Sequence, residues 1–327
     1  MNAFKKKLLF FMPSIEEGGV EKNLFIISNY IQKKKIKVEV LTCNYNKKKK
    51  FNKNIKIIGT QSSFWYNKNR KIKYTVCLII LFFHLLLKRK KTLVFSFQAN
   101  IYAIFICKIL NTKIITRSNS SPSGLSENFF KRKIFIFLIK LANGIVVNSL
   151  DFKKEFNNKF KVKAKCIYNP LDKNFLLSNR LKNKKKRLFK KKSLKILTVG
   201  RLTDQKDHMT LLKSVKLINE KSKPHVVIVG KGDKYYDLKN FVKSNNLNQK
   251  VTLTGYINNP LDYLKQTDII VLTSKFEGLP NILLEGQLLK KYIISTNCPT
   301  GPREILLNGK CGDLIKIGDY RNLAKLI

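Results

Sequence analysis

Residues 268–296, DIIVLTSKFEGLPNILLEGQLLKKYIIST, hold the pattern that decides the fold. A nearly continuous apolar run, DIIVLTS, breaks at Gly278 and Pro280, resumes with helical spacing in NILLEGQLLKK, and returns as a second β-branched run, KYIIST. Unbroken apolarity within a run suits a parallel strand covered on both faces, and the helical segment is the crossover that a parallel pair needs. The alternation extends upstream through LKILTVG, HVVIVG and VTLTG, and, nearer the N-terminus, through KLLFFM, VEVLT, IKIIG, LVFSF, KIITR and GIVVNS. A doubly wound α/β pattern therefore occurs twice. Between the two series lies SNRLKNKKKRLFKKKS, Ser178 to Ser193, where apolar periodicity stops and like charges repel. The expected organisation is a domain over 1–172, a basic linker over 173–192 and a second domain over 193–327.

At 327 residues the chain is long enough for two cores. Its 44% hydrophobic and 26% charged content describes a globular protein. The longest apolar run, TVCLIILFFHLLL (Thr75 to Leu87), is shorter than the roughly 18 residues a membrane span needs, so a buried or interfacial helix is expected there. The lysine-rich N-terminus imitates a signal peptide, yet acids follow the run with no small-residue cleavage site, and a first strand is expected instead. Cysteines 43, 77, 107, 166, 298 and 311 form no CxxC and pair with no histidine, as in a reduced cytosolic protein with no disulfide framework or zinc site. The net charge of +46 fits lysine drift in an AT-rich genome, attraction to anionic lipid, or attraction to nucleic acid. No RNA-binding signature or aromatic interleaving accompanies the basic runs, so no nucleic-acid partner is expected.

Chemistry concentrates where strands hand over to helices. Arg201 and Lys206 follow KILTVG and precede a helical pattern, placing two cations at the carboxyl edge of a strand beside a helix N-terminus, where a diphosphate fits. Arg201 pairing with Asp204 or Asp207 is the structural alternative. Glu277 stays in the loop after DIIVLTS, and its carboxylate suits sugar hydroxyls. The first-turn amides of Gly278, Leu279 and Asn281 suit phosphate oxygens. Glu285, within the helix, suits the paired hydroxyls of a ribose. Spacing alone describes two solvated surface acids just as well.

The whole string resembles the "FEGLPNxLLE" EX7E motif of retaining glycosyltransferases of family 4, with the GT-B fold. Further segments resemble that family in order: GGVEKNL (Gly18 to Leu24), VVNS, IYNPLD, VGRLTDQKD, IVGKGD and GYINN (Gly255 to Asn259). The resemblance implies a GT-B-like α/β architecture, with two Rossmann-like domains of doubly wound parallel sheet facing a central cleft. It implies Arg201 and Lys206 on the donor diphosphate, Glu277 on the transferred sugar and Glu285 on the ribose. It also implies backbone groups of Gly255 and Tyr256 on the base, with amides of Gly18 and Gly19 reaching the donor from the first domain. CPTGPREIL (Cys298 to Leu306) resembles a subgroup that uses UDP-sugars, often N-acetylhexosamines, to build bacterial surface glycans, and it would bring Thr300, Gly301 and Glu304 near the donor. Many family members carry a histidine after the strand LVFSF. Here Gln98 and Asn100 stand there, and Arg117 and Asn119 are further candidate cleft contacts or structural groups.

The implied activity is metal-independent transfer of a hexose or N-acetylhexosamine, with retention, from a UDP-sugar to a lipid-linked or polysaccharide acceptor. No DxD occurs, and no cofactor beyond the donor is expected. The implied location is cytoplasmic, peripheral at the inner face of the plasma membrane. Family members usually continue through further helices, so the second domain is expected to be truncated at its C-terminus. The alternative is an inactive nucleotide-sugar or polyanion binding protein.

Overall fold

The first strand of each sheet sits in its middle, and that placement organises the molecule. The computed structural model describes residues 7–16, 18–88, 92–119, 129–178, 188–218 and 223–327, and falls into two units, Met1–Pro170 and Leu171–Ile327. Residues 179–187, the middle of the basic linker expected over 173–192, lie outside the described residues.

In the first unit β1 (Lys7–Phe11), β2 (Val38–Leu41), β3 (Lys56–Ile58), β4 (Thr92–Ser96), β5 (Lys113–Arg117), β6 (Gly144–Val147) and β7 (Lys165–Cys166) make a parallel sheet. Its strand order is β3-β2-β1-β4-β5-β6-β7. Side chains alternate across β1 and feed two cores. Phe10 and Met12 pack with Leu24 of α1 (Gly19–Lys33). Leu9 and Phe11 face the opposite core, built with α2 (Arg70–Lys88), α3 (Asn100–Ile109), α4 (Phe129–Lys140) and α5 (Leu150–Phe160). Cys77, Leu81 and Leu85 enter that core at four-residue spacing, so the apolar run of residues 75–87 is a helix buried along one stripe.

In the second unit a short helix, α6 (Lys173–Leu177), precedes the strands β8 (Leu194–Val199), β9 (Pro224–Val229), β10 (Val251–Gly255), β11 (Ile269–Leu272), β12 (Tyr292–Thr296) and β13 (Asp313–Ile315). These form a parallel sheet in the order β10-β9-β8-β11-β12-β13. Ile196, Val226 and Val271 meet Leu211 and Val215 of α7 (His208–Leu217), Leu238 of α8 (Tyr235–Ser244) and Leu323 of α12 (Tyr320–Leu326) on one face. Leu197, Val227 and Ile270 meet Leu264 of α9 (Leu261–Gln266), Leu283 of α10 (Asn281–Leu288) and Ile305 of α11 (Pro302–Ile305) on the other.

Both sheets reverse their winding beside the first strand, between β1 and β4 and between β8 and β11. In an open parallel sheet such a switch point, at the carboxyl ends of the strands, is the crevice where ligands usually sit.

Candidate functional site

The β8/β11 crevice gathers the chemistry of the second unit. After β8 the chain turns through Gly200, Arg201 and Leu202 to Lys206, and α7 starts at His208. Tight backbone approach fixes this turn: a Cβ on Gly230 would sit 1.8 Å from the Gly200 carbonyl oxygen, and one on Gly232 would sit 2.2 Å from that of Leu202. The glycines of IVGKGD are thus required by two loops in contact.

After β11, Ser274 and Glu277 meet Lys206. The Lys206 Nζ donates to Glu277 Oε1, and Ser274 Oγ donates to the same oxygen at 2.6 Å. Both partners are largely shielded, with side-chain exposures of 16% for Lys206 and 8% for Glu277. No hydrogen bond from a described residue reaches Glu277 Oε2, which leaves that oxygen for hydroxyl donors.

A second link runs alongside. Arg201 Nη2 donates to Gln205 Oε1 at 3.2 Å, and Gln205 Nε2 donates to the carbonyl of Phe276 at 3.0 Å. The backbone N–H of Lys275 donates to the Gln205 carbonyl at 2.8 Å, so the two loops are laced together. Arg201 is exposed, and neither aspartate of the structural alternative holds it. Asp204 faces Lys234 at 3.7 Å, and Asp207 accepts from Thr210 Oγ1 at 2.6 Å.

The loop after β12 closes the third side. Thr300 Oγ1 donates to the Glu277 carbonyl at 2.5 Å, and the Glu277 N–H reaches the Pro299 carbonyl at 3.4 Å. Thr300 holds φ 59 and Gly301 φ 88. A β-branched residue in the left-handed region is strained, and such strain persists where surrounding contacts over-determine it. A Cβ on Gly301 would lie 2.4 Å from the Gly278 carbonyl oxygen, so the two glycines of FEG and TGP meet.

Glu285 is buried on α10, whose N-cap is Pro280 and whose first residue is Asn281; Gly278 and Leu279 lead into it. Glu304 lies on α11 just beyond Gly301. Gly255, at φ +72, gives its carbonyl to the Gly230 N–H at 2.9 Å, and the Tyr256 ring lies under Lys231 Nζ at 5.2 Å.

Sequence reasoning passed over Ser274, Gln205 and His208. Ser274 and Gln205 sit inside quoted strings, and only the fold reveals that they contact Glu277 and its neighbour Phe276. His208 is 3% exposed at the start of α7, and burial, reinforced by the Lys206 charge, lowers its pKa to about 4. The imidazole is therefore neutral beside the lysine.

At the β1/β4 crevice of the first unit, Gly18 caps α1 and Gly19 begins it; a Cβ on Gly18 would meet Glu21 Oε2 at 2.8 Å. Gln98 Oε1 accepts from the Ser14 N–H at 3.1 Å and ties the two loops together. Asn100 accepts from Ser96 Oγ at 2.8 Å and donates to the Arg117 carbonyl at 3.0 Å. Arg117 is 1% exposed; its guanidinium donates to Asn119 Oδ1 at 3.3 Å, to the Ile167 carbonyl at 3.2 Å and to Asn169 Oδ1 at 2.8 Å. Its pKa falls to about 10 because burial disfavours the charge. Internal hydrogen bonds thus occupy Gln98, Asn100, Arg117 and Asn119, and the guanidinium serves as a staple between the ends of β5 and β7.

With this geometry in view, comparison with known proteins bears chiefly on the second unit. Residues 179–327 match the family described as glycosyl transferases group 1. An uncharacterized glycosyltransferase of Methanocaldococcus jannaschii is 41% identical over 81 residues, covering 25% of this chain and 20% of that protein. The N-acetylgalactosamine-N,N'-diacetylbacillosaminyl-diphospho-undecaprenol 4-alpha-N-acetylgalactosaminyltransferase of Campylobacter jejuni is 29% identical over 103 residues, 32% of this chain and 28% of that enzyme. The chain thus spans less than a third of the length of either relative. In fold, the crystal structure of Anabaena HepE in complex with UDP and glucose superposes with a TM-score of 0.77 at 16% identity, covering 98% of this chain and 88% of that one. The fold is GT-B, with two Rossmann-like α/β domains in succession.

Proposed function

We propose that this protein is a metal-independent, retaining glycosyltransferase of family 4 that moves a hexose or N-acetylhexosamine from a UDP-sugar to a lipid-linked or polysaccharide acceptor of a bacterial surface glycan. The observation that carries the reading is the Lys206–Glu277 pair at the β8/β11 switch point, inside the segment that matches the glycosyl transferases group 1 family. The UDP and glucose bound to Anabaena HepE and the lipid-linked substrate in the name of the Campylobacter enzyme support the choice of donor and acceptor.

In this reading the second unit binds the donor and the first recognises the acceptor. Lys206 and Arg201 face the diphosphate, Glu277 Oε2 accepts from sugar hydroxyls, and Glu285 holds the ribose. Gly255 and Tyr256 meet the base. Backbone amides at Gly278, Leu279 and Asn281, and the loop of Thr300, Gly301 and Glu304, complete the seat.

The bond between the anomeric carbon and the phosphate oxygen breaks, and negative charge grows on the departing UDP. Cations already held by Glu277 and Gln205 stabilise that charge without reorganising, which is where electrostatic catalysis gains most. The acceptor hydroxyl attacks from the face the phosphate leaves, its proton passes to the leaving phosphate oxygen, and configuration is retained. Purified protein given a panel of UDP-sugars with membrane extract tests the reading: UDP release with one donor and an α-configured product by NMR are expected. Donor binding without release, in the presence of every acceptor fraction, would leave only the binding-protein alternative.

A further inference from the structure

Two thiols from different elements meet in the first unit. Cys43, just past the carboxyl end of β2, and Cys77, in the middle of α2, are 34 positions apart, yet their Sγ atoms lie 3.3 Å from each other and both residues are fully buried. A disulfide bond is about 2.05 Å long, so an approach of roughly 1.3 Å would join them.

Polar groups surround the pair. Cys43 Sγ lies 3.7 Å from the Lys73 carbonyl, and Cys77 Sγ lies 3.9 Å from the Pro13 carbonyl. Lys73 is itself buried, and its Nζ donates to the Tyr66 carbonyl at 2.7 Å. Burial pushes the Cys107 and Cys298 thiols up to about 12. Cys43 moves the other way, because the hydrogen bond with Cys77 and, more weakly, the Lys73 charge hold it below the usual thiol value, while burial and Cys43 raise Cys77. One sulfur is thus favoured as thiolate and its neighbour keeps a proton to give away, the division of labour that thiol oxidation to a disulfide needs.

The pair also lies under the loop that follows β1. The Pro13 carbonyl accepts from the Cys43 N–H at 3.0 Å, and the Ile15 N–H donates to Oδ1 of Asn44, the residue after Cys43, at 3.0 Å. A bond between β2 and α2 at this point would therefore reach the loop directly.

We infer that Cys43 and Cys77 form a redox-closable clasp, which a small hydroperoxide converts to a disulfide that tethers α2 to the carboxyl end of β2 and stiffens residues 12–16. The Cys43 sulfur takes one peroxide oxygen as a sulfenic acid, and the other oxygen leaves as water with the Cys43 proton. The Cys77 sulfur then displaces the sulfenic hydroxyl, which departs with the Cys77 proton as a second water. Two thiols and one hydrogen peroxide give one disulfide and two waters, and a dithiol reductant reverses the change. The clasp makes no use of the β8/β11 site, so it stands or falls apart from the transferase reading.

Hydrogen peroxide treatment of the folded full chain, followed by blocking of the remaining thiols and peptide mapping without reduction, tests it. A cross-linked peptide pairing Cys43 with Cys77 is expected. Hydrogen exchange at the Ser14 and Ile15 amides should slow by at least about threefold, and dithiothreitol should undo both effects. In Cys77→Ala the sulfenic acid should persist on Cys43 and be trapped by dimedone, whereas Cys43→Ala should leave Cys77 unlabelled. Recovery of Cys43 and Cys77 as free thiols while Cys166 or Cys311 is oxidised would overturn the inference, as would a link that forms only after the chain is unfolded in urea. A native link with unchanged exchange at Ser14 and Ile15 would overturn the clasp in favour of an incidental thiol pair.

Discussion

Lys206→Ala is the most informative perturbation because the lysine has two partners in the account, one visible and one inferred. The visible partner is Glu277, whose Oε1 it holds together with Ser274 Oγ at 2.6 Å. The inferred partner is the departing diphosphate. A charge-assisted hydrogen bond contributes about 1.5–3 kcal/mol, and every 1.36 kcal/mol of lost transition-state stabilisation is tenfold in rate, so kcat should fall about 10- to 150-fold. The assay is initial UDP release against donor concentration, which separates kcat from KM. Because the leaving group gains charge only as the bond breaks, the loss should fall mainly on kcat. The decisive comparison repeats the substitution in a Glu277→Gln background. If Lys206 served only to neutralise Glu277, removing it there would cost nothing further. The account predicts a further loss of at least about tenfold, since the diphosphate still needs its cation. Turnover in the double variant equal to Glu277→Gln alone would refute the reasoning.

Other substitutions read the scaffold around the site. His208 should make stability fall with acid: its folded pKa of about 4 lies below the ordinary imidazole value of 6.5, so the unfolded chain binds the proton first. Its contribution is full above about pH 6.5 and is lost as pH drops towards 4, a total on the order of 3 kcal/mol, and His208→Gln should flatten that part of a pH–thermal-melt profile. Gly301→Ala combines φ +88 with a Cβ 2.4 Å from the Gly278 carbonyl oxygen, and should lower the melting temperature of the second unit and raise donor KM. Arg117→Leu strips its hydrogen bonds from the Ile167 carbonyl and Asn169 Oδ1, and should destabilise the first unit by about 1–3 kcal/mol, read by urea denaturation.

Much of the fold was legible because buried parallel strands need unbroken apolar runs, and DIIVLTS, KYIIST and their counterparts supply them without ambiguity. β7 and β13 escaped notice because KC and DLI supply no β-branched apolar run, unlike the equally short β3 within IKIIG. The partnership of Lys206 with Glu277, 71 positions apart, was half legible: each residue follows a strand, but only the order β10-β9-β8-β11-β12-β13 makes those strands neighbours. Arg117 was legible only as a cleft contact or a structural group, since nothing local marks an arginine for burial and its partners at 167 and 169 come from another loop. The exposed stripe of α2 was hidden for the opposite reason. A helix that is apolar all round shows no face in its sequence, and packing alone decides which side Phe83 and Leu87 occupy.

The central claim is that the β8/β11 crevice seats the pyrophosphate of a nucleotide-sugar, and calorimetric titration of the full chain with UDP addresses it with the fewest assumptions. Saturable binding of one equivalent, weakened at least about tenfold by Arg201→Ala and again by Lys206→Ala, is the predicted result. Equal affinity in the parent and in both variants would place the nucleotide elsewhere and contradict the account.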